Sequence, residues 1–203
     1  MITIVNYDMG NLGSIQNMLK KIGVKSTVTS SPQVILEAEK LILPGVGNFK
    51  RAMQNLETYG LIESLNQKVL VDNIPILGIC LGMQLMTSYS EEGECAGLGW
   101  IDAKTLHFPS YESTGLKVPH MGWNEVSFTN QHILSAGLVE PRYYFVHSYR
   151  VLCNSIENVL CTTSYGETFH SGICRDNITG VQFHPEKSHA FGMQLLENFC
   201  NGL

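Results

Sequence analysis

The feature that most constrains the fold is a fully apolar segment, Ile74-Pro75-Ile76-Leu77-Gly78-Ile79, which ends at Cys80. A strand without polar residues at alternate positions is typical of a parallel sheet that helices cover on both faces. Shorter apolar runs at residues 2–7 and 40–43 are each followed by a turn-forming patch and then by helical periodicity, the second over residues 48–71. Strands that alternate with helices predict an α/β fold with a doubly wound, mostly parallel sheet.

The second half of the chain has a different pattern of residues. From about residue 96, short strand-like segments are separated by Gly, Pro and Ser. We predict strands over residues 118–126, 143–150, 159–165, 169–175 and 178–183, and a closing helix over about residues 188–200. These strands are expected to add antiparallel members to the same sheet. Because no repeat, linker or low-complexity tract marks a boundary, we expect a single domain over residues 1–203.

Composition and charge exclude several functional classes. Lys and Arg number 13 against 18 Asp and Glu, a net charge of −5, and no basic cluster stands out. Nucleic acid and an anionic membrane are therefore not expected as partners. No signal-peptide pattern and no membrane-spanning apolar stretch is found, so we expect a cytoplasmic protein. Six irregularly spaced cysteines without a CxxC pair indicate reduced thiols, and neither a metal nor a cofactor is predicted.

Cys80 is the candidate nucleophile. It lies in Gly78-Ile79-Cys80-Leu81-Gly82, a G-x-C-x-G pattern where a buried strand gives way to helical periodicity. This is the thiol form of the nucleophile elbow, in which small residues on either side allow a sharp turn that exposes the reactive side chain. The unpaired N–H groups of the following helix favour a thiolate over a thiol. A cysteine that only packs at the end of a strand is the alternative, and the other five cysteines lack this context.

His184-Pro185-Glu186 supplies a candidate base and a carboxylate to orient it. The motif follows the predicted strand 178–183 and precedes the closing helix. Residues i and i+2 of an extended segment point to the same side, and the proline restricts the backbone around both side chains. A thiolate, a histidine and a carboxylate make the generalised catalytic triad. A solvated loop histidine is the alternative interpretation.

Pro44-Gly45-Val46-Gly47 is a candidate oxyanion loop, because it ends a predicted parallel strand. Ligands of doubly wound folds bind at the carboxyl ends of strands. Glycines in such a loop allow backbone N–H groups to point at a developing negative charge. An ordinary tight turn is the alternative.

Six segments together carry a resemblance to a known family: PGVGNFKRAM, GICLGMQL, SEEG, PHMGWNEV, YYFVHSY and GVQFHPEKS. They resemble the class I, triad-type glutamine amidotransferases, which are flavodoxin-like, and among them the glutaminase subunits of imidazole glycerol phosphate synthases. The match covers essentially the whole chain. It implies hydrolysis of L-glutamine to glutamate and ammonia. It also implies a heterodimer with a cyclase subunit that uses the ammonia to make imidazole glycerol phosphate and AICAR in histidine biosynthesis.

The resemblance also implies roles for individual residues. Cys80 becomes the nucleophile, His184 the general base and then acid, and Glu186 the group that orients it. The oxyanion would be held by the backbone N–H groups of Leu81 and of Gly47 or its neighbour. The positions that match holders of the substrate's amino-acid end are Gln84, Glu92, His147 and Ser148. The positions that match partner-facing residues are Asn11, Met121, Trp123, Tyr144 and Lys187. For two of these, Trp123 and Tyr144, burial in the core is an equal alternative.

Three other functions stay open at the level of the sequence. Residues 6–8 and 99–107 differ from the pattern expected of histidine-pathway members. The same glutaminase could therefore serve a different synthase, such as one that amidates a bacterial surface sugar. The second alternative is a peptidase or other elbow-cysteine hydrolase of similar fold, which a glutamine-only substrate profile would exclude. The third is a binding module with a decayed site, which the intact triad pattern disfavours.

Overall fold

The computed structural model describes residues 1–109 and 116–202 of the chain. The strands of the first half are β1 (Ile2–Val5), β2 (Ser26–Thr29), β3 (Lys40–Leu43), β4 (Ile76–Ile79), β5 (Tyr89–Ser90) and β6 (Cys95–Ala96). Those of the second half are β7 (Ala103–His107), β8 (His120–Glu125), β9 (Ser127–Phe128), β10 (Arg142–His147), β11 (Tyr149–Cys153), β12 (Val159–Tyr165), β13 (Glu167–Arg175) and β14 (Ile178–Val181). The helices are α1 (Leu12–Lys21), α2 (Pro32–Leu36), α3 (Phe49–Thr58), α4 (Leu61–Asn66), α5 (Leu81–Leu85) and α6 (His189–Gly202).

The centre of the main sheet is parallel, and this confirms the predicted fold class. Its strands follow the order β2-β1-β3-β4-β14, and each neighbour in this series runs parallel to the next. The last of them, β14, comes from the far end of the chain and lies directly beside β4. The carboxyl ends of β4 and β14 therefore meet at one edge of the sheet, where ligands of doubly wound folds bind.

Helices cover both faces of the parallel strands, as the apolar strand β4 predicts. Alternate residues of each strand contribute to two separate hydrophobic clusters, so that Ile76 belongs to one and Leu77 to the other. Helices α2, α3, α4 and α5 contribute buried side chains to the first cluster, whereas α1 and α6 contribute to the second. The parallel strands are thus fixed on both sides, and the edge that carries the loops is held rigidly.

The antiparallel additions follow the prediction only in part. Strands β13, β11, β7 and β12 join the main sheet through antiparallel pairs. In contrast, among the described strands β8 and β10 pair only with each other and form a two-stranded sheet of their own. The other edge of β10 is hydrogen-bonded to residues that follow β14. The Tyr144 carbonyl accepts from the His184 N–H at 2.9 Å, and the Tyr144 N–H donates to the Ser188 hydroxyl at 3.0 Å. The small sheet therefore packs against the segment that follows β14.

The helical segment at residues 48–71 is interrupted, a detail that the periodicity does not reveal. Helix α3 ends at Thr58, Gly60 adopts a left-handed conformation with φ of 65°, and α4 starts at Leu61. A turn of π-helix, Gln67–Val71, then leads toward β4. Across residues 1–109 and 116–202, no helix is both long and apolar enough to span a membrane.

Candidate active site

Cys80 lies at a sharp turn between β4 and α5. Its backbone has φ of 54° and ψ of −110°, a conformation that side-chain-bearing residues rarely adopt. The two flanking glycines are required by close contacts. A Cβ on Gly82 would lie 1.8 Å from the carbonyl oxygen of Leu43, and one on Gly78 would lie 2.8 Å from the backbone nitrogen of Met83. The strand, turn and helix thus hold the Cys80 thiol at the wall of a pocket.

His184 and Glu186 form a hydrogen-bonded pair beside this thiol. Nδ1 of His184 lies 2.8 Å from Oε1 of Glu186, and both side chains are almost fully buried. Because a carboxylate only accepts, Nδ1 carries the proton and Nε2 faces Cys80. Among the described residues, Nε2 has no hydrogen bond of standard geometry. Burial lowers the pKa of His184, but interactions with Cys80 and Glu186 outweigh this effect and raise the pKa above its ordinary value of 6.5.

A pocket of about 330 Å³ opens at the carboxyl edge of the sheet, beside Cys80. The predicted site residues that line it are Gly47, Cys80, Leu81, Gln84, Glu92, His147, Ser148 and His184. Residues far apart in the sequence converge here because β3, β4 and β14 end at the same edge. Glu186 lies behind His184, as its hydrogen bond to Nδ1 requires.

The loop after β3 lies over the start of α5. Gly47, with φ of 110°, lines the pocket, as predicted. The N–H of Leu81, the other predicted oxyanion donor, instead donates to the carbonyl of Gly45 at 3.3 Å. The buried hydroxyl of Tyr7 donates to the carbonyl of Pro44 and anchors the other end of the loop. In this structure the loop therefore covers one of the two donors.

The predicted substrate-binding side chains are already held by the protein. Nε2 of Gln84 donates to the carbonyl of Tyr149 at 3.2 Å and to Oε1 of Gln182 at 3.0 Å. Oε2 of Glu92 accepts from the N–H of Phe49 at 2.8 Å and so caps the start of α3. These contacts within the protein fix the pocket walls.

His147 takes part in a chain of hydrogen bonds that fixes its tautomer. Nδ1 lies 2.7 Å from the carbonyl of Tyr149 and must donate, so Nε2 accepts from Nδ1 of His120 at 3.0 Å. Nε2 of His120 in turn lies 3.2 Å from Nδ2 of Asn124. Burial lowers the pKa of His147 to about 3 and that of His120 to about 4, so both rings are neutral at pH 7.

Comparisons with known proteins agree with this geometry. A family model described as glutamine amidotransferase class-I matches residues 3–203. The chain belongs to the class-I glutamine amidotransferase family, whose members are enzymes. Cys80 and His184 therefore line a pocket of an amidotransferase, with Glu186 behind His184.

Two relatives with similar sequences share one description. Proteins named imidazole glycerol phosphate synthase subunit HisH 2 are 55% identical in Methanococcus maripaludis and 46% identical in Pseudomonas aeruginosa, each over 98% of both chains. Solved structures share the fold at lower identity. A crystal structure of a glutamine amidotransferase has a TM-score of 0.76 at 15% identity and covers 98% of this chain and 100% of that one. The structure of PurLQS from Thermotoga maritima has a TM-score of 0.74 at 16% identity and covers 98% and 97%.

Four of the five predicted partner-facing residues of this amidotransferase form one surface patch. Trp123 and Tyr144 lie opposite each other on β8 and β10, and Lys187 places Nζ 5.6 Å from the Tyr144 ring. Met121 is 61% exposed and Trp123 is 44% exposed, so Trp123 is not the buried core aromatic that the sequence left open. Tyr144 is partly buried.

The fifth predicted residue, Asn11, has a local structural role. Its side chain accepts from the N–H of Ser14 at 3.3 Å and caps α1, which packs against the turn Pro185–Lys187. Asn11 therefore lies on the element next to the patch, and no contact places it within the patch itself among the described residues.

Two residues of the site were not singled out from the sequence, His120 and Gln182. Gln182 is fully buried and precedes His184 by two positions at the end of the predicted strand 178–183, and alternation along that strand would direct both side chains to the same side. His120 lies in PHMGWNEV, but neither spacing nor motif predicts its contact with His147. Only the pairing of β8 with β10 places the two imidazoles directly opposite each other.

Proposed function

We propose that this chain is the glutaminase subunit of a two-subunit synthase and that Cys80, His184 and Glu186 are its catalytic residues. The observation that carries the proposal is the elbow thiol, which shares one pocket with an imidazole held by a carboxylate at 2.8 Å. These are the three groups of a thiol-dependent acyl-transfer triad.

The reaction follows from the positions of these groups. The Cys80 thiolate attacks the side-chain carboxamide carbon of glutamine, and the tetrahedral intermediate collapses when His184 protonates the departing nitrogen. The C–N bond breaks, ammonia leaves, and a thioester remains. Water then attacks the thioester while His184 removes its proton, which releases glutamate and regenerates Cys80. Glu186 holds the imidazole in the required tautomer throughout.

The loop Pro44–Gly47 is the proposed oxyanion site and also the proposed point of control. The N–H of Leu81 can serve the oxyanion only if the carbonyl of Gly45 moves away from it. Loss of one such donor lowers kcat by roughly 10²–10³-fold in comparable sites. We propose that the partner reorients this loop, so that glutamine is hydrolysed mainly when an acceptor for ammonia is present.

The proposed substrate is L-glutamine, held by the polar walls of the pocket. We assign its amino-acid end to Gln84, Glu92, His147 and Ser148, which lie on the same pocket as Cys80. The carboxylate of Glu92 supplies negative charge suited to the substrate ammonium group. Both ring nitrogens of His147 are bonded within the protein, so this neutral ring contributes to substrate binding through its shape.

The proposed partner is a cyclase subunit, in a heterodimer that acts in histidine biosynthesis. The names of the relatives in M. maripaludis and P. aeruginosa support this assembly. The patch formed by Met121, Trp123, Tyr144 and Lys187 supplies exposed apolar surface and a cation beside the catalytic edge. We further propose that residues 1–203 form one domain and that the reaction takes place in the cytoplasm, a reducing compartment suited to six free cysteines.

The test is an assay of glutamate release with and without a cyclase subunit and its nucleotide substrate. We expect slow hydrolysis by the chain alone and strong stimulation in the complex. Alkylation of Cys80 by a glutamine-mimicking electrophile should abolish the activity. A chain that cleaves peptides, or one whose activity survives the alkylation, would contradict the proposal. Full glutaminase activity that no cyclase stimulates would point to a different synthase as the partner.

A further inference from the structure

Gln182 is a buried polar residue that contacts Cys80 but has no role in the triad mechanism. It follows β14 and is fully buried, and its N–H donates to the carbonyl of Ser171 at 2.8 Å. Its side-chain Nε2 lies 3.7 Å from Sγ of Cys80, a distance typical of a hydrogen bond to sulfur. A buried amide costs free energy unless it is hydrogen-bonded. The contact with sulfur is therefore expected to be a favourable one.

Gln84 determines which end of the Gln182 amide faces the sulfur. Nε2 of Gln84 carries two hydrogens, and it donates them to the carbonyl of Tyr149 and to Oε1 of Gln182. If the Gln182 amide were flipped, two NH₂ groups would face each other and one would be left buried without an acceptor. Gln182 is therefore constrained to present its NH₂ group to Cys80.

The other end of this network is also fixed. The carbonyl of Tyr149 accepts from both Gln84 and His147, and His147 is held in turn by His120. A neutral His147 with its proton on Nδ1 is the only tautomer that can donate to this carbonyl. The acceptor that orients Gln84 is thus itself held in place.

We propose that Gln182 is a positioning residue for the glutaminase reaction, which donates a hydrogen bond from its side-chain amide to Sγ of Cys80 in an orientation that Gln84 imposes. This inference rests on the proposed role of Cys80 as the nucleophile. A donor at this position stabilises the thiolate more than the thiol, because hydrogen bonds to charged acceptors are the stronger ones. It also directs the sulfur relative to the strained backbone of the elbow.

Two variants separate this role from simple space filling. Gln182→Met keeps the length and approximate volume of the side chain but removes both the donor to Cys80 and the acceptor of Gln84. Thr179→Val is the matched control, because Thr179 lies on β14, is fully buried and donates its hydroxyl to the carbonyl of Ile76 at 2.9 Å, away from Cys80. Both variants remove one buried polar group from the same region of the chain, so thermal unfolding measures any shared loss of stability.

The decisive readout is the pH dependence of Cys80 alkylation by iodoacetamide, followed by mass spectrometry of the Cys80 peptide in the full chain. His184 interacts electrostatically with Cys80, and it remains unchanged in each variant. For Gln182→Met we expect the midpoint of the profile to rise by roughly one pH unit. In the complex with a cyclase subunit, we expect kcat for glutamine to fall roughly tenfold. Because the variant also removes the acceptor of Gln84, we expect KM to rise as well, and kcat together with the alkylation profile is the diagnostic pair.

The two proposals fail in different ways. If Gln182→Met keeps the wild-type profile and kcat, or if Thr179→Val moves both equally, Gln182 is a structural residue and the inference is overturned while the triad stands. If wild-type hydrolysis survives complete alkylation of Cys80, the proposed function itself fails, and the role of Gln182 fails with it. A shifted profile in Gln182→Met alone, with similar thermal stability in both variants, supports the inference.

Discussion

Individual polar side chains in the pocket are oriented by hydrogen bonds to other parts of the protein. Gln84 uses its amide hydrogens on Tyr149 and Gln182, and Glu92 accepts from the backbone of Phe49. Side chains fixed in this way lose little conformational entropy when the substrate binds. At this scale, the consequence of a substitution depends on which partner it leaves without a hydrogen bond.

Replacement of Cys80 by alanine should abolish glutaminase activity and leave the fold intact. The elbow accommodates a small side chain, whereas the chemistry requires the sulfur. We expect glutamine-dependent synthesis by the complex to be lost and ammonia-dependent synthesis to persist, because external ammonia bypasses this subunit. Steady-state assays with the two nitrogen sources and a thermal melt check this. If the variant complex were inactive with both sources, Cys80 would instead support folding or assembly.

Removal of the Tyr7 hydroxyl should destabilise the chain. Tyr7→Phe leaves the buried carbonyl of Pro44 without its donor, which costs about 1–3 kcal/mol in the free energy of unfolding. Tyr59→Phe is the matched control, because its hydroxyl bonds Asp8 at an exposed position, and we expect a change within about 0.5 kcal/mol. Urea denaturation of both variants measures the difference. Equal losses in the two variants would mean that the buried hydrogen bond to Pro44 stabilises the fold no more than an exposed one does.

At the scale of elements, the strand–turn–helix unit around Cys80 depends on the close approach of α5 to the end of β3. We expect Gly82→Ala to cost roughly 1–3 kcal/mol or to prevent folding, because the new Cβ would lie 1.8 Å from the Leu43 carbonyl oxygen. Gly13→Ala in α1 meets no atom within 4 Å and should stabilise the chain by up to about 1 kcal/mol. Thermal unfolding of the two variants should therefore shift in opposite directions. Similar shifts would show that the elbow tolerates a displacement of α5.

The sequence predicts best the elements that are buried, because burial requires a recognisable run of apolar residues. Strands β1, β3 and β4 are buried on one or both faces along most of their length, and their apolar runs identify them. The break between α3 and α4 is not predicted, because the apolar face continues across Gly60 and only its left-handed backbone separates the helices. The separate pairing of β8 and β10 is not predicted either, since strand periodicity does not specify a partner.

The same distinction applies to the site. Cys80, His184 and Glu186 belong to short motifs in which local backbone geometry determines the chemistry, and such motifs can be recognised in a sequence. Gln182 contacts Gln84, which is 98 positions away in the sequence, and His120 contacts His147, which is 27 positions away. Contacts of that kind depend on the strand order, which brings β14 beside β4, and on the register of β8 with β10.

For the whole molecule, the return of the chain at β14 places the triad and the exposed patch on the same edge. Lys187 follows Glu186 directly and lies over the ring of Tyr144, so the proposed catalytic pair and the patch meet at the turn Pro185–Lys187. A partner that binds this patch would therefore contact the turn that carries His184. We propose that this turn connects assembly with catalysis.

Charge reversal at Lys187 should weaken binding of the cyclase subunit more than it affects this chain alone. The lysine is the cation of the patch, and a rim charge opposite a carboxylate on the partner affects association and its salt dependence. We expect Lys187→Glu to lower affinity at least roughly tenfold, with unchanged thermal stability and basal glutamine hydrolysis. Lys25→Glu is the control, because Lys25 is exposed just before β2, at the amino ends of the parallel strands. This variant should bind the cyclase subunit normally. Titration calorimetry at two salt concentrations measures both, and equal affinities would exclude Lys187 from the interface.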